Sequence, residues 1–413
     1  MRTLYLCYFG LREPLVETQV LPYLRELVAG GIEVSLLTFE PEMRARWNDQ
    51  AKAAMRAQLL SEGITWHALP YHKRPSLLAT IYDICAGARL AVRLARREAS
   101  VVFHARAHVP LAMALLARIV TPRRLVFDIR GLVADEYVDA GIWREGSAVY
   151  RVIKWLEGIG IRKADQIVVL TEKMKQWVLR THLLDAARIE VIPCCADFSR
   201  FQETYPDANE TGRFELIYAG SVTGLYLLDE MGRFFLAWRE TRLNVFLRIL
   251  TASPAEPARE ALRRVGLRDR DFWVGAVPPA EVPRYLRLAR AGLSFRKATF
   301  SQIAASPTKI AEYLAAGLPV ISNAGIGDTD EILMADDVGV VVEDLSEAGY
   351  QTAVGRLEQL LADPGLGIRC RSIAKTRFDL AEVGGSRYRR LYERLGGKTA
   401  CSENRIPSFH SES

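Results

Sequence analysis

Residues 306–328 read SPTKIAEYLAAGLPVISNAGIGD. Ser306 suits a helix N-cap and Pro307 the first helical position. Gly317 and Pro319 close the helix about three turns later, and residues 319–322 read as the strand that follows. One residue conflicts with this frame. A helix N-terminus carries positive partial charge and favours acids, yet Lys309 stands in the first turn. A negative group from outside the chain would explain it. Glu312 lies three residues on, on the same helix face. A carboxylate accepts two hydrogen bonds, and a ribose has two adjacent hydroxyls to give. Lys309 on a diphosphate and Glu312 on a ribose would together grip one nucleotide. The competing reading is a Lys309–Glu312 surface ion pair worth about 0.2–0.5 kcal/mol.

Reading outward, this helix sits in a regular alternation. Strand-like runs fall at 215–219, 245–250, 272–274, 292–295, 319–322 and 339–342, with helices near 225–240, 256–265, 279–289, 307–316 and 346–362. The first half repeats the pattern, with strands at 3–9, 33–39, 64–68, 100–104, 124–129, 166–170 and 189–192. Helical stretches separate them at 18–29, 43–61, 77–97, 109–119 and 148–163. Alternating strands and helices imply an α/β fold with parallel sheets. The polar stretch PDANETGRF, 206–214, reads as a linker. The expected organisation is two Rossmann-like domains facing a cleft, 1–205 and 206–378. A final helix, 379–395, is a candidate for packing back on the first domain. The Ser-rich tail, 396–413, is expected to be disordered.

The chain has 413 residues, 49% of them hydrophobic, and a formal charge of +6. Cores of domain size are affordable, and the basic balance fits an anionic ligand or an acidic membrane surface. No basic run resembles a nucleic-acid arm, so nucleic acid is not an expected partner. The six cysteines form no Cys-x-x-Cys pair and no His cluster accompanies them, so no metal site is expected. MRTLYLCYFG, 1–10, reads as a first strand and not a signal peptide. Asp83, Arg89 and Arg93 interrupt the apolar stretch 77–95, which should not span a bilayer. A cytoplasmic protein is expected. The stretch 73–97 mixes Leu, Ile and Ala with Lys and Arg, and reads either as a helix lying on acidic lipid or as a packed helix with a solvated basic edge.

Ligands in open α/β sheets gather beyond the carboxyl ends of the strands. There, Gly220-Ser221 with Gly224 forms a turn whose amides suit phosphate, although a plain strand-to-helix turn is as common. His104 and Arg106 end one strand, and Asp128 and Arg130 another. Charges at the end of an apolar run are costly unless used or paired. His104 reads equally as a site residue or as a hydrogen-bonded, partly buried histidine, and Asp128 with Arg130 equally as a site or as a structural bridge. Asp135 and Glu136 fall in an expected loop.

SPTKIAEYLAAGLPVIS resembles the nucleotide-binding signature of the family 4 retaining glycosyltransferases. IVVLTEKMKQWV, VIPCCADFSRF and LIYAGS resemble that family's other landmarks in the same order, and VFDIRGLVADE with GIW resembles a bacterial subgroup making surface polysaccharides. The resemblance covers about 1–395. It implies two Rossmann-like domains of GT-B type, with the nucleotide sugar on the C-terminal one and a saccharide or lipid-linked acceptor mainly on the other. By resemblance Glu312 is the ribose glutamate, and Ser306, Pro307, Thr308, Lys309, Gly220 and Ser221 lie near the nucleotide. His104 falls where members carry a histidine near the transferred sugar. The sequence departs from the family at Ala304, where the first of two glutamates is missing, and at the reduced glycine loop around Gly10. Arg248, Arg296 and Lys297 are candidate substitutes for an Arg/Lys pair.

The expected activity is retaining glycosyl transfer from a nucleotide sugar in surface-polysaccharide biosynthesis, at the inner membrane face if it docks on lipid. It needs no metal or cofactor. Lys309, the Gly220-Ser221 turn and Arg296 or Lys297 would stabilise the leaving diphosphate. His104, Asp128 and Arg130 would orient sugar and acceptor. A nucleotide-sugar epimerase on the same scaffold and a non-catalytic subunit of a polysaccharide-assembly complex remain open.

Overall fold

The computed structural model describes residues 1–72, 74, 76–97, 101–201, 213–242 and 244–400. Two parallel sheets form. The first contains β1 (Arg2–Leu6), β2 (Glu33–Glu40), β3 (Ile64–Pro70), β4 (Val101–Arg106), β5 (Leu125–Asp128), β6 (Gln166–Val169) and β7 (Ile189–Val191), in the order β3-β2-β1-β4-β5-β6-β7. The second contains β8 (Phe214–Ala219), β9 (Val245–Leu250), β10 (Phe272–Gly275), β11 (Ala291–Ser294), β12 (Val320–Asn323) and β13 (Gly339–Val342), in the order β10-β9-β8-β11-β12-β13. In each sheet the first strand lies inside and the chain winds out to both edges, which places a switch point at its carboxyl edge.

Period-two alternation sets the two faces of the first sheet. Leu4, Phe103, Phe127 and Ile167 pack under helices Ser76–Arg97 and His108–Val120, through Ala91, Ala95, Leu111 and Ala114. Tyr5, Val102, Val126 and Val168 face the opposite way, toward Leu24, Leu27, Tyr388, Leu391 and Tyr392. The second sheet buries Leu216, Ile217, Leu247 and Leu293 against Phe234, Trp238, Tyr313 and Leu357.

Several helices differ from expectation. The stretch 43–61 divides into Met43–Arg46 and Asp49–Ser61, because the Asn48 side chain caps the second helix by accepting from the Ala51 amide at 2.7 Å. Asp135 and Glu136 belong to a helix, Val133–Asp139, and not to a loop. Helices Glu172–His182, Thr329–Ala335 and Leu366–Phe378 add to those expected. Thr171 caps the first of these, its Oγ1 accepting from the Met174 amide at 3.0 Å.

The chain returns to the first domain at Asp379. Its backbone bridges to Ala196, and its carboxylate caps a π-turn, Leu380–Gly385, by accepting from the Ala381 and Glu382 amides. The last helix, Ser386–Ala400, extends into the segment expected to be disordered. Residues 401–413, and 206–212 of the expected linker, lie outside the described residues. Tyr388, Leu391, Tyr392 and Leu395 of the last helix are buried in the first domain.

Helix Ser76–Arg97 packs against helix His108–Val120 by a small-residue face that includes Ala79, Gly87, Ala88, Ala91 and Ala95. Its opposite face exposes Leu77, Leu78, Ile81 and Tyr82 near the start and Arg89, Arg93 and Arg96 farther on. Lys73, which belongs to the basic stretch read from the sequence, lies outside the described residues. Among the described residues no helix is long and apolar enough to cross a membrane.

Candidate active site

A cavity of about 610 Å³ opens at the carboxyl edge of the second sheet. Its size suits a small-molecule ligand. Gly220, Ser221, Tyr226, Thr308, Lys309 and Glu312 line it from the second domain. Arg200 borders it, and Pro14 and Thr18 of helix Pro14–Gln19 close it from the first domain.

The helix quoted above runs Thr308–Ala315, one residue later than expected, with Pro307 as its cap residue and no capping side chain. Ser306 is therefore not the cap. Its Oγ accepts from the Cys194 amide of the first domain at 3.1 Å, so it ties the domains together. Lys309 is not an exposed surface lysine either. It is 6% exposed, and its Nζ donates to Tyr218 Oη at 2.9 Å. The same nitrogen lies 4.0 Å from the Tyr218 ring centroid and 4.3 Å from that of Tyr226. The first turn docks at the end of β8, where the ammonium lies against two aromatic rings. Burial, and then the Arg296 charge, hold its pKa well below the usual lysine value. An anion in the cavity would supply the counter-charge.

Gly220 shapes the same corner. Its φ is 142°, and a Cβ there would sit 3.0 Å from Lys309 Nζ. Its amide is already bonded to Leu250 O at 2.9 Å, so Gly220 makes room and does not donate to a phosphate. The Ser221 amide has no hydrogen bond to a described residue, and the Tyr218 hydroxyl holds the Ser221 carbonyl. Among the described residues, the Ser221 amide is one donor that this turn offers at the cavity.

Glu312 does not pair with Lys309. Its Oε1 accepts from Arg200 Nη1 at 3.1 Å, and Arg200 also donates to Pro279 O at 2.9 Å. Glu312 Oε2 is left without a protein partner among the described residues. Burial raises the Glu312 pKa against the opposing pull of Arg200. The sequence reading passed over Arg200, although it lies in VIPCCADFSRF, already singled out as a landmark.

Arg296 does not line the cavity. Its guanidinium lies 4.8 Å from the Tyr226 ring centroid, donates to Tyr226 Oη at 3.2 Å and to Gln302 Oε1 at 2.7 Å. Lys297 is exposed and does not line the cavity, and its amide is bonded to Leu225 O. Arg248 sits on β9, paired with Glu215, and takes no part.

His104, Asp128 and Arg130, expected to orient sugar and acceptor, lie together near the ends of β4 and β5. None of the three lines the cavity. His104 and Asp128 are 0% exposed, because the last helix covers this face of the sheet. His104 Nδ1 is 2.8 Å from Tyr392 Oη, and Tyr388 Oη donates to Asp128 at 3.1 Å. Burial lowers the His104 pKa against the opposing pull of Asp128. Burial would raise that of Asp128, but Arg130 and Arg106, at 3.5 and 3.6 Å, bring it below the usual value. Arg130 also donates to Cys194 Sγ at 3.3 Å. The three side chains are engaged with the last helix, with Cys194 and with one another.

The missing first glutamate has a packing explanation. Ala304 closes a turn, Phe300–Ala304, and is buried among first-domain side chains. A carboxylate there would enter an apolar core. The domains meet again nearby, where Asp328 accepts from the Glu172 and Lys173 amides at 2.7 and 3.2 Å.

Residues 16–200 match the family model described as Glycosyltransferase Family 4. No curated protein matches by sequence. Solved structures match over nearly the whole chain. Sucrose-phosphate synthase from Thermosynechococcus elongatus has a TM-score of 0.69 at 15% identity, covering 96% of this chain and 100% of its own. WaaG, a glycosyltransferase involved in lipopolysaccharide biosynthesis, gives 0.67 at 16%, with coverages of 94% and 99%. Anabaena HepE, solved with UDP-glucose, gives 0.66 at 14%, with coverages of 96% and 100%. The chain thus has the GT-B-type fold of these glycosyltransferases, and its residues 16–200 match Glycosyltransferase Family 4.

Proposed function

We propose that the protein moves a sugar from a nucleotide-sugar donor to a saccharide or lipid-linked acceptor, with retention of configuration, in surface-polysaccharide biosynthesis. One observation carries this reading: Lys309 is buried at an uncapped helix N-terminus in a ligand-sized cavity, with Glu312 one turn on. Lys309, the first amides of its helix and the Ser221 amide would hold the diphosphate. The free Glu312 oxygen would accept from ribose hydroxyls. As the glycosidic bond breaks, negative charge grows on the diphosphate, and these donors stabilise it without a metal ion. Structures of HepE with UDP and with UDP-glucose support a donor of this class. A thermal-shift screen with UDP-, GDP- and dTDP-sugars tests the reading. A nucleotide sugar should raise the melting temperature by mass action, and no response to any of them would overturn it. NMR of the product's anomeric configuration tests retention.

Docking of the first domain on anionic lipid at the cytoplasmic membrane face belongs to the same proposal. It is supported by the exposed Leu77, Leu78, Ile81 and Tyr82 beside Arg89, Arg93 and Arg96 on one helix. Such a surface combines apolar insertion with attraction to acidic headgroups. In flotation, the protein should follow vesicles containing anionic lipid and not neutral ones. Equal recovery with both counts against it.

A further inference from the structure

Arg200 lines the cavity, and the chain around it is built to hold it there. Asp197 opens a turn, its Oδ1 accepting from the Ser199 amide at 3.0 Å and the Ser199 hydroxyl at 2.7 Å. The turn winds Phe198–Phe201 into one 3-10 coil. Phe201 is buried in the core of the second domain, and Phe198 packs against the same core. These anchors place Arg200 between two walls of the cavity. One wall is helix Thr308–Ala315, which carries Glu312, and the other is the Pro279–Glu281 turn that follows β10.

Arg200 bonds both walls at once. Its Nη1 donates to Glu312 Oε1 at 3.1 Å and its Nη2 to Pro279 O at 2.9 Å. A guanidinium is planar, so the direction of one bond constrains the other. The carboxylate is thereby held by one oxygen, and Oε2 is the oxygen left for a ligand. Burial pushes the Glu312 pKa up, and Arg200 leads the charges that pull it down. A carboxylate accepts from a hydroxyl by a stronger, charge-assisted bond only while it is ionised. We propose that Arg200 is a positioning residue for the nucleotide: by holding Glu312 and the Pro279 carbonyl together it presents the second carboxylate oxygen to the sugar ring, and so makes the site select ribose over 2′-deoxyribose.

This inference rests on the nucleotide-sugar reading, and the test separates the two. Calorimetric titration would use UDP and 2′-deoxy-UDP, or GDP and 2′-deoxy-GDP if the thermal-shift screen selects a GDP-sugar, beside inorganic diphosphate. Wild type should prefer the ribonucleotide roughly tenfold to a hundredfold, the worth of a charge-assisted hydrogen bond. Arg200→Met should shrink that preference to within about twofold and leave inorganic diphosphate binding as in wild type. Arg200→Lys, which keeps the charge without the planar fork, should retain part of the preference. In a Glu312→Ala background Arg200→Met should change the preference no further, since the two residues act as a unit. An undiminished preference in Arg200→Met would overturn the inference. Equal weakening of all three ligands would do the same, because it marks a structural role. Selection of a dTDP-sugar, whose ring lacks the 2′-hydroxyl, would overturn it and leave the functional reading standing. If wild type binds no nucleotide sugar at all, both fall together.

Discussion

Lys309 shows how burial changes the meaning of a residue. In an exposed first turn its removal would be neutral. Here a cation is held out of water beside Arg296, with aromatic faces as its compensation. Lys309→Met should therefore melt no lower than wild type. Its affinity for nucleoside diphosphate should drop roughly tenfold to a hundredfold, about 1.5–3 kcal/mol. Unchanged affinity by calorimetry would remove Lys309 from the site. The lowered pKa adds a linkage. Between its folded pKa and the ordinary lysine value the unfolded chain binds more protons, so this group's contribution makes stability rise with pH in that window. A bound diphosphate favours the charged form of Lys309, so affinity should weaken as pH rises through the pKa of this group, and Lys309→Met should lose that part of the pH dependence. Gly220→Ala should also weaken the diphosphate, because its Cβ presses on the same ammonium and its φ favours glycine.

At the scale of elements, the last helix is what turns His104 and Asp128 into structure. It lies over the face of the first sheet on which both point, and its Tyr388 and Tyr392 hydroxyls reach them. Asp128→Asn leaves Arg106 and Arg130 without their buried carboxylate and should cost about 3–5 kcal/mol in denaturant unfolding. Nucleoside diphosphate affinity of the folded variant should stay as in wild type. A variant of full stability with lost turnover would return Asp128 to catalysis. Because the Asp128 pKa is lowered in the fold, its stabilising contribution is complete above the unfolded carboxyl value of about 3.9 and fades as pH falls toward the folded one. Acid unfolding of Asp128→Asn should accordingly show a weaker pH dependence than wild type.

For the whole molecule, the junction between domains decides which carboxylates the cleft contains. Ala304 belongs to the second domain by chain order, yet it is buried in the core of the first. Restoring the family's glutamate through Ala304→Glu should therefore not improve turnover. It should destabilise the protein by more than about 2 kcal/mol, the cost of burying a polar group without partners. Full stability with a gain in kcat would show that position 304 faces the sugar.

The sequence by itself determined the strands, the parallel α/β class and the placement of Lys309 and Glu312 on one helix face. These are local properties, written in periods of 2 and 3.6 residues and in the residues that start and stop a helix. The short helix holding Glu136 was missed because seven residues after a strand give little periodicity. Only the tertiary structure decided the rest. It put Tyr218 and Tyr226 around Lys309, gave Glu312 to Arg200, took the Gly220 amide for Leu250, and sealed His104 under a helix 288 positions away in the chain. Burial and partnership depend on which element covers which face of a sheet. A residue's own neighbours in sequence carry no record of that choice.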